Sequence, residues 1–426
     1  MSVFAIVFLF AVLAGLAVRS YLAWRQIRHV AAHRDAVPEP FHERIDDRSH
    51  RRAADYTIAR VKARLPELVV AAVWLLWLTL GGLLQDLHAA LAQFLEPGQL
   101  AHGIAFIALI AVFGWAIELP FELRRVFVTE AKFGFNRISP ALFLSDTLKG
   151  AVLSATIGLP LLAGALWLME GMGQYWWLTI WAGWLAFNLL AMLIWPTFIA
   201  PLFNRFEPLE DEAIRERVTR LLERCGFHAK GLYVMDGSRR SAHGNAYFTG
   251  FGSAKRIVFF DTLLGRLDGD EIEAVLAHEL GHFHHGHVLK RIVLMALGSF
   301  AILALLGWLA DQAWFYQGLG MQSQDTAVLL ALFMLALPVF LLPLAPLMSL
   351  ISRRDEYQAD RYAAEHAGAG PLIDALVKLY RDNASTLTPD PWYSGFHDSH
   401  PPAALRIAHL ERLASMPDPT GQPAHA

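Results

Sequence analysis

Cysteine is almost absent from this chain: Cys225 stands alone among 426 residues. A single thiol excludes an internal disulfide and any metal site built from several cysteines. An excess of positive charge is also missing, since 36 Lys and Arg face 39 Asp and Glu for a net charge of −3. No basic surface therefore points to nucleic acid. No cation precedes the first apolar run, which opens Met1-Ser2-Val3-Phe4-Ala5, while Arg19, Arg25 and Arg28 come after its apolar stretch. A cleaved signal peptide carries its cations first, so this order predicts an uncleaved span with its N-terminus outside. Internal repeats and low-complexity runs are lacking as well.

What the chain has is apolar length. It is 55% hydrophobic, with a mean hydropathy of +0.36. Soluble domains are usually less apolar. Seven segments, roughly 3–24, 67–87, 102–121, 149–169, 175–199, 288–310 and 326–350, are long enough to span a bilayer, which takes about 20 residues each. The competing reading, buried helices of a large soluble protein, demands more uninterrupted apolar helices than soluble cores use.

Charge asymmetry orients these spans. The connection after the first carries Arg34, Arg44, Arg48, Arg51, Arg52, Arg60, Lys62 and Arg64, and the connection after the third carries Arg124, Arg125, Lys132 and Arg137. Residues 88–101, 170–174 and 311–325 contain neither Lys nor Arg. Cytoplasmic loops collect these cations, so 200–287 and the chain beyond 351 are predicted to be cytoplasmic. In a bacterial host the membrane is the inner one.

The expected organisation is five spans with basic loops over 1–199, a cytoplasmic α/β insert over 200–287, spans six and seven over 288–350, a cytoplasmic helical part over 351–414 and a disordered tail over 415–426. Within the insert, Glu210–Cys225 reads as a helix stopped by Gly226. Leu232–Met235, Asn245–Thr249 and Arg256–Phe260 read as strands, the last two joined through Gly250-Phe251-Gly252. Asp268–His287 reads as a helix whose Asp268, Asp270 and Glu271 favour its N-terminus. Arg353–Ala367, 371–384 and Ala403–Leu413 read as helices, and 385–402, rich in Pro, Ser and Asp, as loop.

The chemistry is concentrated in His278-Glu279-Leu280-Gly281-His282. Residues four apart share a helical face, so both imidazoles reach one ion. Glu279 can hold a water activated by that ion. A catalytic zinc needs a third protein ligand and one open position. His284, His285 and His287 do not extend the motif face, and favourable interaction with the helix C-terminus is the simpler reading of them. Glu356 in Ser352–Asp360 is the better candidate. It shares a face with Asp360, so one carboxylate can bind the ion while the other holds a ligand histidine. Taken alone, those two carboxylates read more readily as the solvated face of an amphipathic helix.

Together these pieces resemble the type I CAAX prenyl proteases, seven-span integral-membrane zinc metalloproteases. The resemblance rests on the seven spans, Phe203-Asn204-Arg205-Phe206, Asp236–Phe251, His278–His282, Ser352–Asp360 and Ser399-His400-Pro401-Pro402. It implies a mainly α, polytopic fold with a small cytoplasmic α/β zinc-metalloprotease domain of gluzincin-like type. It further implies one zinc ion per chain on His278, His282 and Glu356, catalysis by Glu279, and support of a ligand histidine by Asp360. His400 and Arg406 match residues that polarise the scissile carbonyl and steady the oxyanion. Asn245, Ala246, Tyr247 and Phe248 match an edge strand that pairs with substrate backbone. The partners implied are the bilayer and a peptide or protein substrate, prenylated at a C-terminal CaaX motif in eukaryotic members. A membrane-protein quality-control protease would use the same zinc site. A non-catalytic zinc or lipid-binding protein fits an intact Glu279 poorly. A transporter calls for ionisable groups inside several spans, of which Glu118 is one of few.

Overall fold

Backbone groups in a bilayer must be hydrogen-bonded within their own segment, which forces the apolar runs into helices. The computed structural model describes residues 1–227, 229, 231–249 and 256–415. Its first half is helical: α1 (Val3–Ala32), α2 (Asp47–Leu78), α3 (Leu83–Leu91), α4 (Leu100–Arg124), α5 (Pro140–Gly171) and α6 (Trp176–Ile194). The insert follows as β1 (Phe206–Pro208), α7 (Glu212–Arg224), β2 (Gly231–Met235), β3 (Ala246–Thr249), β4 (Arg256–Phe260), α8 (Asp261–Leu264) and α9 (Gly269–His284). Then come α10 (His287–Leu309), α11 (Ala313–Gly318), α12 (Thr326–Leu341), α13 (Ala345–Ala367), α14 (Ala369–Asp382), α15 (Pro391–His397) and α16 (Ala403–Ser415). Among the described residues, six helices are long and apolar enough to cross a membrane, and the bent pair α2 and α3, taken as one span, brings the number to seven.

Several boundaries differ from the sequence reading. The run 67–87 is not one helix: α2 ends at Leu78, Gly82 takes a φ of 84°, and α3 leaves at 56° to α2. The seventh span does not stop before the acidic motif. A short 3₁₀ turn, Leu342–Leu344, joins α12 to α13, which starts eight residues before Arg353. Pro338 inside α12 removes a helical hydrogen bond, whereas Pro343 and Pro346 sit in the first turns of the 3₁₀ segment and of α13, where no helical N–H bond is lost. The stretch 385–402 holds α15, with Asp390 accepting from Trp392 and Tyr393 N–H and Pro391 at the first helical position. The motif helix ends at His284, because Gly286 adopts a left-handed φ of 65° and His287 opens α10. Ser415 closes α16, and the rest of the expected tail lies outside the described residues, as does the link 250–252.

The four strands are ordered β1-β2-β4-β3. β2 and β4 are parallel, and β3 is antiparallel to β4 and lies at the sheet edge. Ile257 and Phe259 of β4 join Leu276, Ala277 and Leu280 of α9 and Leu372 and Ile373 of α14 in one core. Val37, Phe41 and Ile45 from the first basic connection are buried in that same core. Arg25 near the end of α1 pairs with Asp390 at 2.8 Å. Arg240 of the insert grips Asp146 of α5 at 2.8 and 3.0 Å. The insert is thus fastened to the membrane helices by charge as well as by apolar packing.

α9 is fixed at both ends of its motif. Asp268 Oδ1 accepts from the N–H of Asp270 and Glu271, and Glu271 Oε2 accepts from Asp268 N–H. Such a reciprocal cap contributes about 0.5–2 kcal/mol. Gly281 lies against α13 so closely that a Cβ there would sit 2.9 Å from Ala359 Cα and 3.2 Å from its carbonyl oxygen. Alanine would add about 1 kcal/mol of helix propensity, whereas overpacking a rigid contact costs about 1–3 kcal/mol. The second effect wins, because the obstructing atoms are backbone. Gly281→Ala is expected to lower the thermal midpoint and Gly281→Val to lower it further, read by melting of the purified protein. A raised midpoint in Gly281→Ala would contradict the close contact.

Candidate metal centre

His278 and His282 project from α9 toward Glu356 on α13, and their ligand atoms all lie within 4.8 Å of one another. His278 Nε2 is 3.5 Å from Glu356 Oε2, and His282 Nε2 is 3.4 Å from Oε1. A tetrahedral zinc ion with ligand distances of about 2.0–2.1 Å holds its donors about 3.3–3.4 Å apart. The separations match that figure to within about 0.2 Å.

Each histidine is held from behind. His278 Nδ1 lies 2.9 Å from Asp360 Oδ1, so Nδ1–H donates to the carboxylate and Nε2 keeps its lone pair for an ion. Asp360 is fully buried and in turn accepts two hydrogen bonds from Arg406, one at 2.9 Å from Nε. His282 Nδ1 lies 2.9 Å from His287 Nδ1, and His287 Nε2 lies 2.8 Å from Gln358 Oε1. One set of tautomers satisfies this chain: His282 donates to His287, His287 donates to the Gln358 carbonyl, and His282 Nε2 faces Glu356 unprotonated.

The donor set therefore fits a divalent cation. Glu356 Oε2 is buried and makes no aligned hydrogen bond among the described residues, although His400 Nδ1 lies 2.7 Å from it. Burial alone would lower the pKa of His278, yet its contacts with Asp360 and Glu356 push it up to about 9. The space between the three side chains is built to hold positive charge.

Glu279 follows His278 on α9, is half-buried, and makes no side-chain hydrogen bond or ion pair among the described residues. The His400 side chain is 60% exposed, on the open side of Glu356. Arg406 sits elsewhere, buried at 5% exposure behind Asp360 and 3.9 Å from Glu356 Oε2. Ala246, Tyr247 and Phe248 lie on edge strand β3, with Asn245 immediately before it. The Asn245 carbonyl accepts from Phe260 N–H in β4. Residues of a strand alternate, so the backbone groups of Ala246 and Phe248 face outward.

His287 is the residue that sequence reasoning misplaced. It does not sit at the C-terminus of α9 but opens α10, buried at 2% exposure between His282 and Gln358. Its offset of five from His282 was visible, but the left-handed Gly286 that turns it back was not.

Residues 26–205 match the family model described as "CAAX prenyl protease N-terminal, five membrane helices", and residues 208–414 match "Peptidase family M48". The CAAX prenyl protease 1 homolog of Oryza sativa subsp. japonica is 38% identical over 74% of this chain and 74% of its own length. CAAX prenyl protease 1 of Saccharomyces cerevisiae is 32% identical over 94% of both chains. The crystal structure of S. mikatae Ste24p superposes with a TM-score of 0.89 at 31% identity, covering 96% of this chain and all of that one. Together with the membrane-length apolar segments and the His-His-Glu centre, these matches make the chain a member of peptidase family M48, a multi-pass membrane metalloendopeptidase related to the CAAX prenyl proteases.

Proposed function

We propose that this enzyme binds one zinc ion through His278, His282 and Glu356 and cleaves prenylated proteins at a C-terminal CaaX motif. The convergence of those three donors, with both histidines restrained by buried partners, carries the reading. A bound zinc ion would supply Lewis acidity toward the scissile carbonyl and lower the pKa of water. Glu279, free of other partners, takes the proton of the attacking water and delivers it to the leaving amine. His400 faces the open side and donates to the developing oxyanion, a contribution of about 3–4 kcal/mol in comparable sites. Arg406 touches no open space. It acts as a positioning residue that keeps Asp360 ionised and aimed at His278 Nδ1. Substrate backbone pairs with the outward groups of β3 from Asn245 to Phe248, which gives affinity with little side-chain selectivity. The basic connections lie in the cytoplasm with the catalytic region and the C-terminus, and the N-terminus lies outside.

Metal analysis of the purified protein should find about one zinc per chain, and Glu356→Ala should lose it. Zinc retained at full stoichiometry in that variant would remove Glu356 from the ligand set. Glu279→Gln should keep zinc and fold while losing nearly all turnover; activity within tenfold of the parent would exclude Glu279 as the proton carrier. Farnesylated peptides should be cleaved faster than matched unmodified ones, whereas equal efficiency would favour a membrane quality-control role.

Loss of the His287 ring frees His282 to rotate. His287→Ala should weaken zinc binding by about 10–100-fold, measured by competition with a chelator, and unchanged affinity would show that the ring has no hold on His282. For orientation, Gln317 is exposed on α11. Gln317→Cys in a Cys225→Ser background should react with a membrane-impermeant thiol reagent added to intact cells. Labelling only after the membrane is opened would reverse the assigned topology.

A further inference from the structure

A cavity of about 580 Å³ opens beside His400, between the cytoplasmic half of α2, the end of α4 and the loops around α15. That volume lies within the about 300–1,000 Å³ usual for ligand sites. Its wall carries Arg60, Arg64, Arg124 and Arg125, against the carboxylates Glu67 and Asp398. Arg125 is 3.6 Å from Glu122, and Arg60 lies over the Tyr56 ring. Arg64 and Arg124 have no ion-pair partner among the described residues. The charge of Arg64 is felt locally: His397, also in the wall, is driven down to about 4, by burial first and then by Arg64 and Arg19.

Strand polarity connects this cavity to the cleavage site. β3 runs from Ala246 to Thr249, so a peptide added antiparallel to it places its C-terminal end at Ala246. Just before Ala246, the N–H of Gly244 donates to Asn383 Oδ1 at 3.1 Å, and Asn383 lines the cavity. A peptide added in the opposite direction would deliver its N-terminal side, and no anion, to the guanidiniums. Three extended residues reach about 10 Å beyond a scissile bond, the length over which a C-terminal carboxylate must be received.

We propose that Arg64 and Arg124 form a subsite for the free C-terminal carboxylate of the substrate, fixing the bond cut by its distance from the chain end. The proposal rests on the endopeptidase reading above and adds the feature of substrate that sets the cleavage position. The positive-inside bias accounts for cations at these helix ends, but it requires neither a cavity nor guanidiniums left without partners. Guanidinium is suited to this task because its fork matches a carboxylate in two hydrogen bonds.

The test uses the full chain in neutral detergent. Binding of an apolar tripeptide with a free C-terminus is compared with its C-terminal amide, beside cleavage of farnesylated peptides ending in acid or amide. The acid should bind at least tenfold tighter, with the matching difference in KM. The ratio should fall below twofold in the Arg64→Gln, Arg124→Gln double variant and recover in part in the Lys double variant. The acid-to-amide comparison in the parent protein stands even if a variant does not fold. Equal binding of acid and amide by the parent would overturn the proposal, and with it tight binding of phosphatidylglycerol would give the arginines to a lipid headgroup. A ratio unchanged in a folded double variant would overturn it too. A parent that cleaves neither farnesylated peptide yet keeps the acid preference would count against the endopeptidase reading while supporting the subsite.

Discussion

The approach of α9 to α13 governs the catalytic half of the molecule. It is set by the smallest residues available, Gly281 against Ala359, with Ala277 and Ala363 buried beside them. Two histidines on one helix and a glutamate on another reach a common point only if the helix axes come close. The core of Leu276, Leu280, Tyr362 and Leu372 fills the space around that contact. Packed interiors are nearly incompressible, so the separation of the ligands is determined by backbone and not by the flexibility of their own side chains.

Around this contact the polar groups form two chains of restraint. One runs from His278 through Asp360 to Arg406, and the other from His282 through His287 to Gln358. Buried charges are expensive, and a buried ion pair often contributes little net stability. Their value here is specificity: each imidazole has one tautomer and one orientation available to it. Lys290 and Asp355, paired at 2.6 Å, fix the neighbouring turn of α13 against the start of α10. The site is therefore rigid before any ion or peptide arrives.

The features legible in the sequence were those whose signal is local. Hydropathy marked seven apolar runs, the four-residue spacing marked His278 with His282 and Glu356 with Asp360, and Asp268 to Glu271 marked the start of the motif helix. Long-range consequences were not legible. Nothing in the run 67–87 distinguishes a straight helix from the pair bent at Gly82, since both are equally apolar. Val37, Phe41 and Ile45 look like isolated apolar residues in a basic loop until a core that begins at Leu209 receives them. Strand β1 has only three residues and depends on β2 for its existence. α15 did carry a local signal, Asp390 as cap with Pro391 following, and the Pro-rich composition around it concealed that signal.

The junction of α12 and α13 has a consequence for reach. α13 continues from a membrane helix with only a 3₁₀ turn between them, and Glu356 stands six residues past Leu350. At 1.5 Å per helical residue that is about 9 Å along the axis. On the other side, His282 precedes the start of α10 by five residues. Both ligand-bearing helices are therefore joined closely to long apolar helices, α13 through a 3₁₀ turn and α9 through the turn at Gly286. A soluble protease must let its substrate travel to it. A substrate held at the bilayer by a lipid, as proposed above, would meet the reactive centre within about three extended residues of the surface, and bonds farther along that chain would pass out of range.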